Sequence, residues 1–152
     1  MPKESNIDFL PIISDVFDPV FQRFGFELQS ETTWNGQEEN LLTASKEGLE
    51  LIFYLANSPV FYYCTVALHV EGELAKKATP HSKYHSLDIS TIAEQLDPQF
   101  KPSLKGAQTH EEVRMLFEVP KVILLKYCSG ILAGDVSAWT PVAEQMRKKR
   151  RK

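Results

Sequence analysis

Apolar residues recur at steps of three and four over 7–24, where Leu10, Ile13, Phe17, Val20 or Phe21, and Phe24 would line one side of a helix. Ser5 or Asn6 is placed to cap that helix and Gly25 to end it, while Pro19, which has no backbone donor, should kink it or divide it in two. The period then falls to two. Residues 26–34 alternate, with Phe26, Leu28, Ser30, Thr32 and Trp34 on one side and Glu27, Gln29, Glu31 and Thr33 on the other, the pattern of a strand with one wet face. Asn35-Gly36 marks a tight turn, a weaker strand follows over 41–46, and Glu47-Gly48 turns the chain into 49–70, its longest apolar and aromatic run.

That run, divided by Asn57, Ser58 and Pro59, reads as a β-hairpin around which the chain is organised. If Leu55 faces Val60, pairing sets Phe53 against Tyr62, Leu51 against Cys64 and Leu49 against Val66. One face then carries Leu49, Leu51, Phe53, Leu55, Val60, Tyr62, Cys64, Val66, Leu68 and Val70, and is core. The other carries Glu50, Ile52, Tyr54, Phe61, Tyr63, Thr65, Ala67 and His69. It is too aromatic for a plain solvated surface and too polar for a second core, so it is covered either by the chain's own elements or by a partner.

Beyond Val70 the regularity lapses. Residues 71–86 read as a long loop with a short helical turn near Leu74, and 87–96 return to helical spacing with Ser86 as cap and Pro98 as stop. Thr109 followed by Glu112 has capping-box form, so 109–119 reads as a helix, although Val113, Met115, Phe117 and Val119 also alternate as in a strand. Pro120 suits the first turn of a further helix ending at Gly134, within which Gly130 implies a close backbone approach. Trp139 anchors a last segment that Thr140 and Pro141 would start. The expected fold is α+β, a four-stranded antiparallel meander packed with an N-terminal helix and several C-terminal helices.

Composition adds bounds. At 152 residues, 43% hydrophobic and 24% charged, the chain suits one domain with a full core, over residues 1–146. No apolar run is long enough to span a bilayer, and the N-terminus lacks the basic and apolar regions of a signal peptide, so a cytoplasmic protein is the expectation. The formal charge of −3 conceals an asymmetry. Arg147, Lys148, Lys149, Arg150, Arg151 and Lys152 form a wholly basic tail, leaving 11 Lys and Arg against 20 Asp and Glu, a formal −9, over 1–146. An acidic body disfavours a grip on nucleic acid except through the tail, and would steer a basic partner.

Chemistry is less visible. His81 and His85 stand four apart, but Pro80 and Ser82 argue against the helix that would aim both at one metal ion, and Tyr84 between them favours a polar contact patch. Cys64, mid-strand on the core face, and Cys128, in an apolar helix, read as structural thiols. No cofactor or metal motif is legible, and SGILAGD is a helix with its cap rather than a phosphate loop. In element order the chain is similar in outline to bacterial immunity proteins and to secretion chaperones, a likeness that carries no residues over. The expected function is a non-enzymatic protein-binding module, its surface formed by Tyr54, Phe61, Tyr63, His81, Tyr84 and His85, its partner another protein of basic character or a second copy. The competing expectation is an enzyme or small-ligand protein using the loop histidines with nearby carboxylates.

Overall fold

A computed structural model describes residues 7–28, 32–33, 39–57, 62–79, 85–100 and 106–150. In chain order its elements are α1 (Phe9–Val16), α2 (Asp18–Phe24), β1 (Glu27–Leu28), β2 (Thr32–Thr33), β3 (Glu39–Lys46), β4 (Leu49–Asn57), β5 (Tyr62–Val70), α3 (Gly72–Ala78), β6 (Ser86–Asp88), α4 (Ile89–Leu96), α5 (His110–Tyr127), α6 (Ser129–Leu132) and α7 (Trp139–Arg150). The fold is α+β, and every strand pairing is antiparallel. The sheet runs β1-β3-β4-β5-β6, with β2 also paired to β3. β1 and β2 both pair with β3, in registers that differ by one residue.

The central hairpin keeps its expected faces on a different register. Leu55 pairs with Cys64, Phe53 with Val66, Leu51 with Leu68 and Leu49 with Val70, and Asn57 is the last residue of β4 rather than part of the turn. The partner of Leu55 thus lies four residues beyond the expected Val60, and residues 58–61 lie outside the described residues. Because the displacement is even, each side chain stays on its face. Leu49, Leu51, Phe53, Leu55, Tyr62, Val66, Leu68 and Val70 are all buried.

The described helices pack their buried residues into the core on that face. Asp8, rather than Ser5 or Asn6, caps α1 by accepting from the Leu10 amide at 3.2 Å. Pro19 divides the expected helix at Phe17, and Gly25, at φ 78°, ends α2 in the left-handed conformation that a side chain would strain. The buried stripe is Phe9, Ile12, Ile13, Val16, Phe17, Val20 and Phe21, whereas Leu10 is exposed. Thr109 caps α5 through the Glu112 amide at 3.1 Å, and the helix passes through Pro120 instead of restarting there. It packs on β5 between α1 and α4. Arg114 ion-pairs with Asp15 on the α1 side, and on the other side the Tyr127 hydroxyl donates to Asp97, just past α4, at 2.8 Å.

Three further readings are corrected. The helical turn expected near Leu74 is the helix α3, but the segment beyond it also contains the strand β6, so the sheet gains a strand beyond the expected four. The cap of α4 is Asp88, which accepts from the Ser90 amide at 2.8 Å, not Ser86. Gly130 makes no close approach, since a Cβ there would meet only the Asp135 carbonyl at 4.0 Å. The helix containing the tail's start is α7, which continues to Arg150; Trp139, at its first turn, is fully buried and Lys148 exposed. Arg151 and Lys152, and the side chains of Arg147, Lys149 and Arg150, lie outside the described residues.

The Tyr127 contact has a consequence at low pH. The Tyr127 hydroxyl, then the Gln99 amide, hold the Asp97 carboxyl below its ordinary value of 3.8. A carboxylate depressed on folding stabilises the fold fully above that ordinary value and loses its contribution as the pH falls through the lower folded one. Denaturant titrations at several pH values below about 5 should therefore show a shallower acid loss for Asp97→Asn than for the wild type. Parallel curves would sever Asp97 from acid lability.

Candidate functional site: the outer face of the sheet

Alternation that buries one side of β4 and β5 turns their remaining residues outward, on the side where no described helix lies. Tyr54 pairs with Thr65 and Ala56 with Tyr63, which makes Tyr54 and Tyr63 diagonal neighbours on one face. Both are 42% exposed. Thr65 beside them is exposed, while Ile52 and Glu50 are half-buried and Ala67 is buried. The face is thus polar and aromatic, exposed at Tyr54, Tyr63 and Thr65 and more deeply buried around Ile52 and Ala67. Phe61, His81 and Tyr84 lie outside the described residues. His85 is exposed beside β6, its carbonyl accepting from the Val70 amide at 2.8 Å.

At the other end of the strip lies a polar group that the sequence did not single out. His69 on β5 is directly opposite Ser86 on β6, and its Nδ1 lies 2.6 Å from the Ser86 hydroxyl. Its Nε2 faces the Glu71 carboxylate at 3.4 Å. Hydroxyl, imidazole and carboxylate in that order are the components of acyl-transfer catalysis. Here the contact follows from the cross-strand register: His69 and Ser86 are facing residues of two paired strands, and the ring ties β6 to β5. The outward position of His69 was readable from the hairpin's alternation. Its partner was not, because β6 is three residues long and carries no period of its own.

The thiols are unsuited to attack. Burial, and then the charge of Asp88, push the Cys64 thiol far above the ordinary range, and burial alone pushes Cys128 up to about 12. Cys128 sits at the junction between α5 and α6 rather than within one helix. Among the described residues no cluster of three or more His, Cys, Asp or Glu could hold a metal ion, and no helix is long and apolar enough to cross a membrane. The described face thus carries two exposed tyrosines at one end and the contacts of His69 with Ser86 and Glu71 at the other. No protein-family model, no curated protein and no solved structure matches this chain.

Proposed function

We propose that the chain is a non-enzymatic protein-binding module that occludes a surface of its partner, with the outer sheet face as its contact surface. The observation that carries this reading is the adjacent pair of tyrosines, Tyr54 and Tyr63, standing exposed on a face that no described helix covers. Tyrosine supplies contact area with few rotatable bonds and a hydroxyl that stays satisfied at a wet rim, which is why it recurs among the residues that dominate binding. Pairing of β3 with β4 and of β4 with β5 holds the two residues in place, so little ordering entropy is lost on contact. The acidic body favours a basic partner by long-range attraction.

Replacing Tyr54 and Tyr63 together by alanine should abolish partner capture from the native host while shifting thermal stability by less than about 1 kcal/mol, as expected for exposed positions. Captured species are compared by mass between wild type and variant. Capture should also weaken as salt is raised, if charge steers the encounter. Undiminished capture by the double variant would remove the sheet face from the interaction. Its outright unfolding would show that the two rings serve the core.

A further inference from the structure

Helix α5 occupies the middle of the helical layer, held at its flanks by α1 and α4 and on its inner side by β5. Val113, Phe117 and Leu124 point inward and are buried. The line pointing directly away from the sheet should be polar, yet it carries Met115, Val119 and Val122, which are 64%, 45% and 54% exposed. With Glu112 and Lys126, both exposed, these residues are spaced three, four, three and four apart, the spacing of a seam between two packed helices. The ridge is thus apolar at its centre, acidic at its start and basic at its end.

The charges choose the occupant. Glu112 and Lys126 each stand seven residues from Val119, about 10 Å along the axis in opposite directions. A two-fold axis through Val119 therefore sets Glu112 of one copy against Lys126 of the other, twice, with the apolar residues between them. Parallel packing would instead oppose Glu112 to Glu112 and Lys126 to Lys126. We propose that this ridge is a self-association surface: two copies of the chain pack α5 against α5, antiparallel, about Val119. The ridge faces away from the tyrosine strip, so a dimer formed this way leaves both sheet faces open for the proposed partner.

Sedimentation of the full chain over a concentration series tests the proposal, with circular dichroism and thermal melts to check each variant's fold. The wild type should show a reversible monomer–dimer equilibrium, and Val119→Asp should raise the dimer dissociation constant by at least about thirtyfold, since symmetry puts two charges in the seam. Glu112→Lys alone and Lys126→Glu alone should each weaken the dimer, because each creates two like-charge contacts. The double variant should recover it, and the two single variants mixed together should pair with each other in preference to themselves. These charge variants carry the test should Val119→Asp fail to fold. A wild type that stays monomeric at every concentration, a dimer indifferent to Val119→Asp, or charge variants that neither weaken singly nor recover together would each overturn it. A monomer that still captures a partner through Tyr54 and Tyr63 would count against this ridge alone.

Discussion

Phe17→Ala should lower the unfolding free energy by about 3–5 kcal/mol, the range for emptying a large aromatic site in a core. The side chain is fully buried where α1 gives way to α2, and its ring meets Phe53 at 4.9 Å, Phe117 at 6.2 Å and Phe21 at 6.2 Å. It therefore joins the sheet, the central helix and the second helix at a single point. Alanine leaves a cavity lined by side chains from three elements, and collapse around it would require all three to move. Against a typical total of about 5–15 kcal/mol, the loss is a large fraction of the stability. Denaturant midpoints measure it, with an unchanged slope confirming that the native and unfolded states are otherwise alike. Leu10→Ala is the matched control. The helical spacing places both residues in one stripe, but Leu10 is 37% exposed and its truncation should cost less than about 1 kcal/mol. Equal losses at the two positions would mean that the division of this helix at Phe17 does not set which side faces the core.

The contrast between Leu10 and Phe17 shows what the sequence could and could not convey. Pro19 announces a break through its missing amide, but where the break falls decides the phase of the stripe on each side, and that depends on how both halves meet Phe53. Likewise the two faces of the hairpin were legible, since any even displacement preserves them, whereas the register was not, because turn residues at Asn57, Ser58 and Pro59 fit more than one placement. β6 acquires its strand character from β5 rather than from its own composition. The residues of 109–119 looked both helical and strand-like for a physical reason: Val113 and Phe117 face the core while Met115 and Val119 lie exposed on the far side, so apolar residues occur on both faces of one helix. Of the candidate surface, Tyr54 and Tyr63 were visible from alternation. The link between His69 and Ser86 was not, because it depends on a strand pairing the pattern does not reveal.

Lys46→Met should cost about 2–4 kcal/mol, the second large loss, although this residue looks like an ordinary charged strand end in the sequence. Its ammonium donates to the Phe24 carbonyl at 3.1 Å and to the Leu132 carbonyl, and lies 5.4 Å from the centre of the Phe26 ring. Phe24 closes α2 and Leu132 closes α6, so both acceptors are final-turn carbonyls that their own helices leave unpaired. Both are also the negative ends of helix dipoles, and one cation serves the two together. Burial lowers the Lys46 pKa, a cost that the paired carbonyls and the ring contact offset. Methionine keeps most of the apolar stem and removes the charge, which takes from both carbonyls the donor they share. Lys76→Met is the comparison: its side chain is 75% exposed and paired with Glu73 one turn away at 3.1 Å, an arrangement worth no more than about 0.5 kcal/mol. Unfolding curves for the two variants, taken at one pH, separate a cation that ties two helix ends to the last residue of β3 from one that decorates a surface. Similar small losses at both positions would assign the junction of α2, α6 and β3 to packing alone.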